Sequence, residues 1–469
     1  MTRRAATRWQ GFWRTLLGGA LAVLLSGPGP ARAEAVELSI PLARGLAETA
    51  IRSGDFALAA QMAQALLAAD PEDDFAHYVM AHAARGDARP RAARRAAARA
   101  FRYADTDGRR FEAAQMAARG ALDAGQFTVA QYWLRRASDV APTDQARAVA
   151  VRDFRAVRQM NPFNFQLRFS VSPSSNVNNG TEDALNVIDG VPVVGLLSPD
   201  ALALSGIRFS TDFRMRYRLH ETAERRTELT ARVFLRRVAL SDEAKDLAPM
   251  ARNGDYAFNV LEAGLRHDMA LGERAGVLSL SGALGDITYG GDPYLDYARL
   301  DVLHVKPVAR RGRLHYGLGL EARRYDVAPD RPERIAELSL GYAHALASGD
   351  RLSLGLSLRG NDVDSTTLLS RGVTARLGYD FGRAFGPVTL SAGLAASYTD
   401  YPDYRVATIR VPGGRQDESI AATLDFAFQD IQHAGFQPVV SLKAERTLSN
   451  VSRFETESVS VGFGFRSAF

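Results

Sequence analysis

From Phe163 to the end of the chain, apolar and polar residues alternate one by one. In "RLHYGLGLEARRY", Leu314, Tyr316, Leu318, Leu320 and Ala322 share one side, and His315, Gly317, Gly319, Glu321 and Arg323 take the other. "RLSLGLSLRG" repeats the pattern with Leu352, Leu354, Leu356 and Leu358. "IRFSTDFRMRYRL" opposes Ile207, Phe209, Phe213, Met215, Tyr217 and Leu219 to a basic stripe of Arg208, Arg214, Arg216 and Arg218. A period of two is the signature of strands with one dry and one wet face. These segments run 10 to 16 residues, whereas strands of soluble sandwiches run about 5–6. Their length and their charged face predict a transmembrane barrel with lipid outside and water inside.

Fourteen such segments begin near Phe163, Leu204, Arg225, Tyr256, Ala275, Tyr294, Arg313, Ile335, Arg351, Leu368, Pro387, Glu418, Gln437 and Thr456. Tight connections such as "LGER", "ARRG" and "ASGD" alternate with mostly longer ones, including "SDEAKDLAPMARNGD", "DVAPDRPE" and "YPDYRVATIRVPGGRQD". Short periplasmic turns and longer external loops are the asymmetry expected of an outer-membrane barrel. The even count puts both ends of the barrel on the periplasmic side. Tyr289, Tyr294, Tyr297, Tyr325, Tyr398, Tyr401 and Tyr404 gather toward the external ends, where an aromatic girdle is expected. The longest loop, roughly Pro173 to Ala203, opens with "SSNVNNGT". Asn and Ser satisfy turn backbone in water, so this cluster reads as the point where the first strand leaves the membrane.

Residues 34–160 follow a different period, with apolar residues at helical spacing among many alanines and arginines. "SGDFALAAQMAQALLAADP" (Ser53 to Pro71) and "AGQFTVAQYWLRRASDVAP" (Ala124 to Pro142) align without a gap at an offset of 71 residues. That offset is close to twice the 34-residue period of tetratricopeptide repeats. Gly54 pairs with Gly125, Phe56 with Phe127, Ala59 with Ala130 and Pro71 with Pro142. A degenerate third copy, "HAARGDARPRAARRAAARAF", lies between them with Gly86-Asp87 at its turn. It carries Arg89, Arg91, Arg94, Arg95, Arg99 and Arg102 almost without acids. This is either a face for an acidic partner or anionic headgroups, or a plain solvated helix face. The fold class is thus an α + β two-domain chain: an all-α tetratricopeptide-type solenoid, then a 14-stranded antiparallel transmembrane β-barrel over residues 161–469.

Residues 1–33 stand apart. Arg3, Arg4, Arg8 and Arg14 precede a short apolar run from Leu16 to Leu25, then Gly27, Pro28, Gly29, Pro30 and Ala31-Arg32-Ala33. This is the pattern of a secretory signal peptide cleaved between Ala33 and Glu34. Its five arginines account for the whole formal charge of +5, so the remaining chain is neutral and a nucleic-acid partner loses its support. The chain has no cysteine, which excludes disulfides, thiolate metal sites and a lipidated N-terminal cysteine. No phosphate loop, His-Glu-x-x-His or Gly-x-Ser-x-Gly pattern occurs, and the eight histidines are scattered. No enzyme, cofactor or metal site is expected.

The order of parts, with "PSSNVNNGT" (Pro173 to Thr181) near the start of the barrel, resembles the surface lipoprotein assembly modulator (Slam) family. The resemblance implies an outer-membrane translocator that delivers lipoproteins, or secreted proteins, to the cell surface of a Gram-negative bacterium. Its repeats would contact the substrate or a periplasmic chaperone. The last strand, with Val459, Val461, Phe463, Phe465 and a terminal Phe469, is similar to the signal that such barrels present to the barrel-assembly machinery. Two other readings fit the order of parts: an exopolysaccharide export barrel and a solute porin. The 35 basic and 37 acidic residues of positions 161–469 give no charge bias that would suit a charged polymer.

Overall fold

The computed structural model describes residues 38–365, 367–406, 409–429, 431 and 436–467. The expected cleavage site at Ala33 and Glu34 and the terminal Phe469 lie outside the described residues.

Seven helices come first among the described residues: α1 (Ile40–Ser53), α2 (Phe56–Ala69), α3 (Asp74–Gly86), α4 (Pro90–Tyr103), α5 (Asp107–Asp123), α6 (Phe127–Asp139) and α7 (Asp144–Met160). Four of them begin where a side-chain oxygen occupies a free amide of the first turn: Asp55 accepts from Leu58 N, Asp73 from Ala76 N, Thr106 from Arg109 N and Thr143 from Ala146 N. Successive helices pack as antiparallel pairs, and α3 also touches α1 and α5. That arrangement makes a stack of three pairs closed by α7. Alanine makes the stack tight: Ala47, Ala59, Ala63, Ala76, Ala97, Ala117 and Ala137 are fully buried. At the closest approach, a β-carbon on Gly120 of α5 would stand 2.9 Å from the Arg94 backbone nitrogen and 3.0 Å from the Pro90 carbonyl of α4.

The repeat turns differ in one telling position. Gly54 and Gly125 take left-handed conformations, with φ of 79° and 68°. The position 34 residues after Gly54 is Ala88, which holds the same conformation with φ of 54°. The turn equivalent in the degenerate copy is therefore Ala88, two residues after the Gly86 that marked it in the sequence.

The chain then becomes all strand but for short helical turns in the loops: β1 (Phe163–Ser174), β2 (Leu185–Ile188), β3 (Val191–Leu196), β4 (Gly206–Glu221), β5 (Arg225–Leu240), α8 (Asp242–Leu247), β6 (Phe258–Ala270), β7 (Val277–Tyr289), β8 (Asp292–Val308) and β9 (Gly312–Tyr325). There follow β10 (Ala328–Ala345), β11 (Arg351–Asp362), β12 (Ser370–Asp380), β13 (Val388–Tyr401), β14 (Arg405–Val406), β15 (Ile409–Arg410), β16 (Arg415–Phe428), β17 (Phe436–Ser449) and β18 (Thr456–Ser467). Fourteen of these strands close an antiparallel barrel, β1 meeting β4 on one side and β18 on the other. The hairpins β2–β3 and β14–β15 stand in loops. On β9 the outward residues from Leu314 to Ala322 are apolar. At about 3.4 Å per residue and a tilt of roughly 40° they cover about 21 Å of depth, near the ~25 Å apolar band of outer-membrane barrels.

One expected external loop is strand. "DVAPDRPE" belongs to a tall β9–β10 hairpin that turns at Asp326 and Val327, with a register shift between Ala328 and Glu333. Its charges made it read as a loop, because alternation fades where both faces of a hairpin meet water.

The helical stack joins the barrel at Asn161. Its amide donates to Thr128 Oγ1 (3.1 Å) and Gln131 Oε1 (2.7 Å) of α6, while its oxygen accepts from Phe163 N (3.0 Å). Arg218 of β4 donates to the carbonyls of Gln159 (3.0 Å) and Met160 (2.8 Å). The Arg135 guanidinium lies 4.7 Å from both the Phe154 and Phe436 rings, tying α6 to α7 and β17. The stack thus sits at the end of the barrel that carries the short turns.

Candidate functional site: the lumen, the strand seam and the external cap

Register and alternation divide the lumen into two walls. Over β4 to β10 the wall is charged and cross-linked. Asp212 pairs with Arg214 and with Arg232, both at 2.9 Å. Glu262 accepts from Tyr297 OH (2.6 Å) and Arg299 (3.0 Å). Glu333 is 1% exposed and accepts from Tyr325 OH (2.9 Å) and Asn361 (2.8 Å). The wall of β12, β13, β16, β18 and β1 is richer in small residues, set among Arg376, Arg415, Asp417 and Asp425. Gly372, Thr374 and Gly378 face Thr399, Ser397 and Gly393, while Ser170 and Ser174 meet Gly464 and Ser460.

The basic stripe expected on β4 is on the water side, but it is not a row of free cations. Arg214 pairs with Asp212, and Arg216 lies 3.8 Å from Glu228. Arg218 pairs with Glu221, and Arg208 donates to the Asn176 carbonyl (2.9 Å). On α4, Arg91, Arg95, Arg99 and Arg102 are exposed along one face. Arg89 is drawn onto Asp87 (2.6 Å), and Arg94 turns inward, half-buried.

The expected tyrosine girdle is largely a lumen and loop feature. Tyr297 and Tyr325 point inward to the carboxylates just named, where a phenol finds an acceptor. Tyr401 and Tyr404 pack around Arg415, whose guanidinium lies 3.7 Å and 4.9 Å from their rings and 3.6 Å from Phe454. Of the group, Tyr289, Tyr294 and Tyr398 remain well exposed.

The closing seam between β1 and β18 differs from its neighbour. β1 pairs with β4 along its whole length, from Phe163–Tyr217 to Ser174–Gly206. With β18, among the described residues, it pairs only at Ser170–Gly464, Val171–Phe463 and Ser174–Ser460. Toward the helical stack the register stops, and residues 165–169 of β1 are exposed on both faces instead of alternating. Phe465 and Arg466 of β18 are likewise consecutive and exposed.

At its far end the seam is held by the Asn-rich segment. This cluster is buried and structural, a correction to its reading as a water-facing turn. Asn176, 1% exposed, donates to the carbonyls of Gly180 (2.8 Å) and Glu457 (3.2 Å) and accepts from Gly180 N (2.9 Å). Asn178 donates to Leu202 O (2.7 Å) and Asp200 O (3.0 Å) and accepts from Leu204 N (2.9 Å). Thr181 Oγ1 donates to Ser452 O (2.9 Å), and Ser452 Oγ donates to Leu185 O (2.8 Å). Ile188, Tyr404, Val411 and Val451 form a small core among three loops. The loop after β1 is therefore bound to the loops on both sides of β16–β17, forming a cap over the seam. Only side chains that match main-chain groups across loops could do this, and a single sequence does not reveal such pairs.

No family model matches the chain, and no curated protein matches it. Among solved structures, the barrel is similar to the COG4313 outer membrane channel from Pseudomonas putida F1, at 13% identity over 64% of this chain and 94% of that one, with a TM-score of 0.32. It is also similar to the outer membrane channel DcaP of Acinetobacter baumannii, at 10% identity over 65% of this chain and 97% of that one, with a TM-score of 0.37. The helical part is similar to the Yersinia enterocolitica type III secretion translocator chaperone SycD, at 17% identity over 26% of this chain and 88% of that one, with a TM-score of 0.24.

Proposed function

We propose that the chain is an outer-membrane translocator that delivers lipoproteins, or secreted proteins, to the cell surface, with its helical stack in the periplasm. The observation that carries this reading is the half-zipped seam between β1 and β18. A lipid-anchored cargo has a polar polypeptide that needs water and an acyl anchor that needs lipid. A wall paired all the way round keeps those phases apart, whereas a wall that parts along one seam lets both cross together. The wall beside the seam offers serine and threonine hydroxyls between the pairs Arg415–Asp417 and Lys443–Glu445, suited to polypeptide of varied sequence. A groove lined by residues of α1, α3, α4 and α5, among them Ile51, Tyr78 and Glu112, would hold cargo or a chaperone before entry, and the C-terminal end, with Phe465 and Phe469, would be presented to the barrel-assembly machinery. Translocation makes and breaks no bond, so no catalytic residue or cofactor enters the proposal.

A solute channel is the second reading, favoured by the wall of paired charges across from the small-residue wall. An exopolysaccharide exporter fits less well, because the lumen's charges neutralise one another instead of matching a polymer of one sign. Protease shaving of intact cells, comparing wild type with a deletion strain, separates these readings. Loss of particular lipoproteins from the surface at unchanged cellular amounts supports translocation. An unchanged surface set together with reduced solute uptake supports the channel.

A further inference from the structure

A concave groove of about 1230 Å³ runs around the outer wall from β5 to β12. Its floor lies where outward side chains shrink together: Ala298 of β8 faces Ala322 of β9, and Ala336 of β10 faces Gly360 of β11. Exposed leucines such as Leu300 and Leu320 border it. At the end away from the helical stack its lining becomes charged, with Arg334 and Arg371 both facing outward and exposed. Neither arginine makes an ion pair among the described residues, although Asp362 and Asp400 are their partners across the strands.

We propose that this groove retains a lipid of the outer leaflet that carries several acyl chains and a phosphorylated headgroup. The apolar floor is larger than the ~300–1,000 Å³ of ordinary small-ligand sites, which suits several chains side by side better than one. Arginine is the side chain best matched to phosphate, since its planar fork presents paired donors. Asp362, across from Arg334, is placed to share a divalent cation with the same phosphate. Charge at one end only fixes the direction of the lipid: chains along the alanine floor and headgroup at the rim. The leaflet rests on the orientation proposed above, with the helical stack in the periplasm; the binding chemistry does not.

Native mass spectrometry of the full chain in neutral detergent tests the site, with diphosphorylated lipid A and phosphatidylcholine as probes. The wild type is expected to retain one lipid A and little phosphatidylcholine. The double variant Arg334→Glu/Arg371→Glu should lose lipid A about tenfold, and Ala322→Phe/Ala336→Phe, which fills the floor, should lose it as well. Leu338→Phe, outward but off the groove, controls for a general effect of bulk, and heat-modifiable gel migration verifies that each variant folds. Equal retention by all folded variants overturns the site, as does equal retention of the two probes by the wild type. A protein dimer that groove filling abolishes overturns it in favour of a second copy as occupant. Labelling of Val327→Cys in intact cells with an impermeant maleimide reports orientation separately, so a wrong leaflet and an absent site give different results.

Discussion

Replacing Asn176 by alanine frees the loop that holds the seam, and the size of the effect follows from its bonds. The side chain makes three hydrogen bonds in a site 1% exposed, two to Gly180 and one to the Glu457 carbonyl at the start of β18. A net hydrogen bond contributes about 1 kcal/mol, and a buried group left without a partner costs about 1–3 kcal/mol. The Gly180 amide keeps a weaker second acceptor, Asn178 Oδ1 at 3.3 Å, which softens the loss. The single variant should therefore destabilise the loop by about 3 kcal/mol, which corresponds to roughly a hundredfold change in opening. Hydrogen exchange of the Gly180 amide reads this directly, because local opening governs its protection. Asn176→Ala/Asn178→Ala should lose more than the two single variants summed, since each side chain backs up the other at Gly180. A Gly180 exchange rate within about threefold of wild type would refute the claim that this asparagine holds the loop.

The incomplete seam predicts that Val171→Cys/Phe463→Cys, an in-register pair, oxidises to a cross-link in high yield, while Phe169→Cys/Phe465→Cys, one step beyond the register, does so poorly; equal yields would mean that the seam is fully zipped. In the helical stack two glycine exchanges should have opposite signs in thermal melts of α-helical circular dichroism. Ala88→Gly relieves a left-handed alanine and should raise stability by up to about 1 kcal/mol. Gly120→Ala, which helix propensity alone would favour by about 1 kcal/mol, should destabilise by about 1–2 kcal/mol because its β-carbon meets the α4 backbone. Burial holds the His77 imidazole below its ordinary pKa, in spite of its bond to the Pro71 carbonyl (3.0 Å). The unfolded chain then binds the proton first, so the stack should lose stability as pH falls below about 6.5 and His77→Gln should flatten that dependence in the same melts.

The barrel could be read from the chain because alternation is a local signal. Most strand starts, among them Phe163, Arg225, Arg351 and Thr456, were set by where alternation begins. Alternation is silent where a residue's role depends on a distant partner. Asn176 looks like turn chemistry until Glu457 is brought beside it. Tyr297 and Tyr325 look like girdle residues until the register turns them toward Glu262 and Glu333. Arg208 to Arg218 form a stripe in sequence, but the acids that pair with Arg214, Arg216 and Arg218 come partly from β5 and partly from their own strand. The seam leaves no trace in sequence at all, because it is a property of the first and last strands meeting.

The central claim is that the seam must part for cargo to reach the surface. Cells carrying only Val171→Cys/Phe463→Cys, in a chain that otherwise has no cysteine, allow the seam to be locked and released. Appearance of newly made lipoproteins at the surface is then followed by protease shaving. Oxidation should stop delivery, and reductant should restore it. Undiminished delivery with the seam quantitatively cross-linked would contradict that claim.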